Sequence, residues 1–167
     1  ESLGEHGLLN HLYGLYEPLI RVPLVMRGPG VGKGRRIAGL AQTNDIYGTA
    51  LAVASAPLPS GARSLLDTGA ARSHIVCEYG EPRVPHQELL ASYGLRAEHF
   101  APFLRSLVAV RTAQHKLITA SNGALALYDL ADDPTESVNR AGDAPQTLAQ
   151  MQDLLSRWRA EVGLAPE

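Results

Sequence analysis

In the second half of the chain the apolar positions come in short runs: Leu107-Val108-Ala109-Val110, Lys116-Leu117-Ile118-Thr119 and Ala124-Leu125-Ala126-Leu127-Tyr128. Runs of this length and composition read as strands. Asn122-Gly123 separates the last two, and that pair favours a tight hairpin in which both central residues take positive φ. The pattern predicts an antiparallel meander that stops at Asp132-Asp133-Pro134. Beyond it the period changes. Leu148, Met151, Leu155, Trp158 and Val162 recur every three or four residues, which makes one apolar face of a terminal helix.

The first half is less regular. Residues 1–18 are rich in glycine and read as a loop. Leu19 to Met26 is apolar apart from Arg21 and predicts a buried strand, with Pro23 arguing for an irregular start. Gly28-Pro29-Gly30 ends it, and residues 30–36 follow as an exposed basic turn. Thr43-Asn44-Asp45 offers capping side chains to a helix with Ile46, Ala50, Val53 and Ala54 on its apolar face. Pro57-Leu58-Pro59-Ser60-Gly61 is the strongest breaker cluster and marks a boundary. Ile75 to Tyr79 is a further short strand, and residues 81–104 carry no clear pattern.

The expected fold is α/β. Residues 1–57 would be the C-terminal part of a mixed, mostly parallel α/β sheet. Residues 58–167 would form a small antiparallel sheet with a packed C-terminal helix. A piece of this kind would leave a sheet edge and an apolar face uncovered, so poor solubility is expected.

Composition narrows the function classes. The chain has 167 residues, 45% hydrophobic and 19% charged, with a net charge of -2. That is ordinary globular composition, with no global field favouring nucleic acid or an anionic membrane. Its apolar runs are too short for a membrane segment. The lone Cys77 excludes an internal disulfide, and its apolar strand setting reads as core. Gly28 to Gly34 lacks the Lys-Ser/Thr ending of a phosphate loop and opens no helix, so a nucleotide site is rejected. Arg111, His115 and Lys116 read as solvated charges at a hairpin, and Trp158 reads as core packing.

The chemistry that remains is near the N-terminus. Gly4-Glu5-His6-Gly7 is followed by His11. On a helix His6 and His11 would be about 140° apart, which does not suit zinc ligands. In a loop, Glu5, His6 and His11 could converge on an oxyanion, donating to a phosphate or sulfate oxygen or protonating a leaving oxygen. They could equally be surface side chains in a glycine-rich loop, and composition alone favours that.

An ordered series of segments resembles the sulfatases of the alkaline-phosphatase-like superfamily. Gly4-Glu5-His6-Gly7-Leu8, His11, Leu15-Tyr16-Glu17 and Ile20-Arg21-Val22-Pro23-Leu24 resemble the later part of the catalytic domain. Thr43 to Thr49 resembles the helix that follows, usually Asp-Ile-Tyr-Pro-Thr, with Gly48 in place of the proline. Ser64-Leu65-Leu66 resembles the Gly-x-Ser-Leu-Leu segment. Arg111-Thr112, Lys116-Leu117-Ile118, Leu127-Tyr128-Asp129-Leu130, Asp133-Pro134-Thr135-Glu136 and Asn139 resemble the C-terminal subdomain, with His115 in place of a tyrosine.

The resemblance implies hydrolysis of sulfate esters on a sulfated small molecule or glycan. It implies a formylglycine nucleophile from a Cys/Ser-x-Pro-x-Arg motif and a divalent cation, Ca²⁺ by family habit. This sequence contains neither that motif nor the metal aspartates, so both are expected upstream, with no metal ligand in this chain. His11 matches the Lys or His that contacts the sulfate group and is the catalytic and substrate-binding residue carried over. His6 would be a second substrate-binding residue and, with Glu5, would border the site; Arg21 would be a buried ion partner and Asp45 a cap. A periplasmic or extracellular location is implied by the resemblance only, and the oligomeric state is left open. The alternatives are a phosphodiesterase, phosphonate hydrolase or phosphoglycerol transferase of the same superfamily, or a non-catalytic interaction module. This polypeptide alone is expected to hydrolyse no aryl sulfate at a useful rate.

Overall fold

A computed structural model describes residues 1–67, 69, 72–80, 91–94 and 96–163. The unpatterned stretch of the sequence lies in part outside them, at 81–90 and 95. The chain packs as two compact units, one of residues 1–22 with 76–167 and one of residues 23–75. Among the described residues, no helix is long and apolar enough to cross a membrane.

The first unit is built on a four-stranded sheet, β3 (His74–Tyr79), β4 (Leu107–Thr112), β5 (His115–Ala120) and β6 (Leu125–Asp129), in that spatial order. The β4–β5 and β5–β6 pairs are antiparallel, so the predicted meander is present. The Asn122-Gly123 turn differs in type. Only Gly123 takes positive φ, at 82°. Its N–H donates to the Ala120 carbonyl at 2.9 Å, while Asn122 Oδ1 accepts the Ala124 N–H. An ordinary turn followed by a left-handed glycine closes the hairpin with a bulge, so Asn122 is spared the left-handed region.

Side-chain alternation gives the sheet two apolar faces. Val76, Val110, Leu117 and Leu127 pack with Met151 and Leu155 of the terminal helix α3 (Pro145–Glu161), flanked by Leu148 and Trp158. Val162 falls just past the helix and is exposed. Leu107, Ala109, Ile118 and Tyr128 face the other way and cover Leu15, Tyr16 and Ile20. Cys77 packs beside this second cluster, and burial pushes its thiol pKa up, as expected of a core cysteine.

The N-terminal segment departs from expectation. Residues 1–18 are not all loop: β1 (Ser2–Leu3) and β2 (Leu9–Asn10) pair antiparallel around a 3₁₀ turn at Glu5–Gly7. Leu19 to Met26 is not a buried strand. Glu17–Ile20 form the short helix α1, and Val22, Leu24 and Val25 are exposed. Without neighbouring strands to satisfy its backbone, an apolar run has no ladder to join. The mostly parallel sheet expected over 1–57 is not in this chain. Arg21, expected to be a buried ion partner, is exposed.

The second unit holds α2 (Asn44–Val53), which ends before Pro57 as predicted. Its buried side is not the expected apolar one. Asp45, Gly48 and Thr49 face inward, while Ile46 and Val53 are exposed. Asp45, expected to be a cap, is the second residue of the helix, whose cap position is held by Thr43; it accepts the Gln42 N–H and forms a buried ion pair with Arg72. Burial pushes its pKa up, but the Arg72 hydrogen bond and charge and the Gln42 N–H bring it below the usual value. Thr49 Oγ1 donates to the Asp45 carbonyl at 2.7 Å and accepts the Leu65 N–H at 2.8 Å. A Cβ on Gly48 would sit 2.1 Å from the Arg63 carbonyl oxygen, so the glycine allows the 63–65 segment to lie on the helix.

Candidate functional site

His6 lies in the turn of the β1–β2 hairpin and His11 directly follows β2, in a segment where the backbone is unusually strained. Gly4 and Gly7 take positive φ, and so do the non-glycine residues His6 (55°), Asn10 (63°) and Tyr13 (67°). Each such non-glycine residue costs on the order of 1–3 kcal/mol and persists only where surrounding contacts enforce it. Asn10 offsets part of that by accepting the Leu12 N–H on its own side chain.

The two histidines have different partners. The ring of His6 lies flat on Tyr16, with centroids 3.6 Å apart and planes 5° apart, and Tyr16 meets Tyr128 edge-on. His11 is open to solvent, with 70% of its side chain exposed, and its Nδ1 lies 2.9 Å from a Glu1 carboxylate oxygen. Glu5 turns back on its own hairpin and accepts the Leu3 N–H. That bond and its own backbone N–H hold the carboxyl below the usual range. The geometry therefore leaves His11 exposed beside Glu1, and gives His6 a stacking role.

Beneath the hairpin is a buried ion network that the sequence reading missed. Arg111, Lys116 and Tyr128 form one cross-strand row on the face that receives residues 15–20. Two cations directly opposite each other repel unless anions intervene. Glu17 intervenes: Arg111 Nε and Nη2 donate to its two oxygens at 3.1 and 3.2 Å, and Lys116 Nζ donates to Oε1 at 3.2 Å. Lys116, with its side chain 0% exposed, also donates to the Leu15 carbonyl at 3.0 Å and pairs with Glu136. The other oxygen of Glu136 accepts the Glu17 N–H at 2.6 Å. Burial pushes the Glu17 pKa up. The Arg111 hydrogen bond and the charges of Lys116 and Arg111 outweigh it and hold the carboxyl below its usual value.

This corrects the reading of Arg111, His115 and Lys116 as solvated charges. The β4–β5 loop spans only two residues, so Arg111 and Lys116 already stand in the ladder and point inward. His115 lies opposite Asp129, its Nε2 3.6 Å from the carboxylate. The available signal was register: a hairpin through 113 and 114 places 111 and 116 side by side on one face. Asn139 ties down the neighbouring strand, accepting the Leu127 N–H and donating to the Leu125 carbonyl.

Among the described residues, no group of three or more His, Cys, Asp or Glu side chains is placed to hold a metal ion. The buried carboxylates Glu17 and Glu136 are already neutralised by Lys116 and Arg111. Among the described residues, none of these groups fits a divalent cation.

Comparison with known proteins places this arrangement. Residues 4–161 match the family described as N-sulphoglucosamine sulphohydrolase, C-terminal. The chain is 31% identical over 144 residues to arylsulfatase K of Gallus gallus, covering 84% of this chain and 26% of the relative. To arylsulfatase K of Homo sapiens it is 30% identical over 135 residues, covering 79% and 24%. It thus spans about a quarter of the length of these relatives. Among solved structures, a 2-O GAG sulfatase matches with a TM-score of 0.61 at 21% identity, over 80% of this chain and 28% of that one. A protein solved in complex with its substrate D-glucosamine-2-N,6-O-disulfate matches with a TM-score of 0.54 at 22% identity, over 70% and 23%. These structural likenesses speak for the fold, a small antiparallel sheet with a C-terminal helix. With the family match running through nearly the whole sequence, the chain belongs to the sulfatase family, as its C-terminal domain.

Proposed function

We propose that this chain forms one wall of the active site of a sulfatase that hydrolyses sulfate esters, and that His11 is its contact to the sulfate group. The observation that carries the reading is the exposure of His11 just past a strained hairpin, on a segment whose residues 15–17 are held by a buried ion network. An N–H donor held there would offset negative charge developing on the sulfuryl and leaving oxygens. His6, stacked on Tyr16, would fix the neighbouring backbone and border the substrate. The formylglycine nucleophile and the cation, Ca²⁺ by family habit, would come from other parts of the protein and would supply attack on sulfur and polarisation of the ester. The disulfated glucosamine bound by one structural neighbour supports a sulfated sugar as the substrate class.

The test uses the full-length protein. His11→Ala should lower kcat on an aryl sulfate about 10²-fold or more, the scale of a lost charge-stabilising donor. A wild-type rate in that variant would remove His11 from the mechanism. Faster turnover of a phosphodiester than of a sulfate ester by the unmutated enzyme would move the activity to another branch of the superfamily.

A further inference from the structure

We propose that Glu136 is a positioning residue for His11, acting through Glu17 and Lys116. The proposal rests on the reading of His11 as the sulfate contact. Glu136 lies 119 residues from Glu17 in sequence, yet is 1% exposed and aimed at it. Its own φ is 57°, left-handed for a residue with a Cβ. The loop around it enforces that geometry. Asp133 accepts hydrogen bonds from the Val138 N–H and from the Ser137 and Thr135 hydroxyls, and the Glu136 N–H donates to the Asp133 carbonyl. These donors hold the Asp133 carboxyl far below the usual range, so it keeps its charge.

What Glu136 reaches is the first helical amide of α1, a donor with no partner inside a helix. Its second oxygen pairs with Lys116, which grips the Leu15 carbonyl and the Glu17 carboxylate. Residues 15–17 are thus held at a carbonyl, an amide and a side chain. From there back to His11 the chain has little slack. Tyr13 is left-handed, and a Cβ on Gly14 would meet Leu8 Cδ1 at 2.8 Å and Tyr16 Cδ2 at 3.0 Å. Apolar residues of similar volume could fill the same space at no loss of stability. What ionic groups add is one defined register, and here it is the register of the arm that carries His11.

The experiment is a double-mutant cycle in the full-length enzyme with Glu136→Gln and His11→Ala, with rates given per folded enzyme. Glu136→Gln keeps the shape and one acceptor but loses the charge opposite Lys116. It should lower kcat roughly 10-fold or more, the scale for misplacing a group by a fraction of an ångström to an ångström, with a smaller change in KM. In the His11→Ala background the same change should cost less than about 2-fold. Hydrogen exchange should quicken at amides 11–17 and stay unchanged in α3. Equal losses in both backgrounds, or unchanged exchange at 11–17, would overturn the proposal. If the wild-type enzyme turns over no sulfate ester, the sulfatase reading fails, and the exchange measurement still decides whether Glu136 fixes the arm. If Glu136→Gln does not fold, Glu136→Asp, which withdraws the carboxylate by one methylene, takes its place in the same cycle.

Discussion

Replacing Lys116 with methionine tests the buried network most severely. The ammonium has no exposure to solvent and faces two carboxylates, Glu17 at 3.2 Å and Glu136 in direct contact. At an effective dielectric of about 20, a unit pair at that separation is worth about 5 kcal/mol before desolvation. Desolvating the ammonium takes back part of that gain. Breaking a buried pair by removing one member costs about 3–5 kcal/mol, because the other charge is left uncompensated. Lys116→Met should therefore lose about that much stability at pH 7. The loss should depend on pH. In the native chain Glu17 is held below its usual pKa although burial pushes it up, and Lys116 is one of the groups that hold it down. Without Lys116 the upward push of burial gains weight. A protonated Glu17 then needs no ammonium, so the gap between variant and wild type should narrow as pH falls to about 4.5 and widen above it. Urea unfolding followed by the fluorescence of Trp158, the sole tryptophan of the chain, reads both values. A loss below about 1 kcal/mol at pH 7, or the same loss at both pH values, would refute the reasoning.

Three further outcomes follow from the packing. Gly48→Ala should destabilise by about 1–3 kcal/mol, against the usual gain for this change in a helix, because the new Cβ would meet the Arg63 carbonyl; a raised melting temperature would refute it. Asn139→Ala should cost about 1–3 kcal/mol in urea unfolding by leaving the Leu127 N–H without its acceptor, and a neutral result would show that this amide finds another partner. Glu17 and Asp45 both titrate below their ordinary values, so their contribution is complete above about pH 4.5 and is lost as pH falls through their folded values. The unfolding midpoint should decline on acidification below that point, and one that stays flat down to about pH 2.5 would contradict both ion pairs.

The meander and the terminal helix were legible because each carries its own periodicity. Leu107 to Val110, Leu117, Leu127 and the Leu148–Trp158 stripe sit where alternation and the 3.6-residue repeat put them. Two apolar patterns misled. Leu19 to Met26 reads as a strand, but a strand is stable only with neighbours to pair with, and pairing is not written in the run itself. The Ile46–Val53 face of α2 reads as core, yet the helix turns inward the side where Asp45 meets Arg72 and Gly48 meets the 63–65 segment. For the proposed site, His11 stands out from the residues only as a possible oxyanion donor in a glycine-rich loop, and its assigned role comes from the resemblance, since exposure in a strained segment leaves no mark on composition. The Glu17–Arg111–Lys116–Glu136 network needed contacts across as many as 119 residues. Each of its members stood in a motif quoted for the family resemblance, but the motif carried no role until the strand register placed two cations side by side.

The most direct test of the central claim is kcat for an aryl sulfate measured in the full-length protein with and without His11→Ala. The account predicts sulfate-ester turnover by the wild type and a loss of about 10²-fold or more in the variant, with folding unchanged. Equal rates for the two proteins would contradict it.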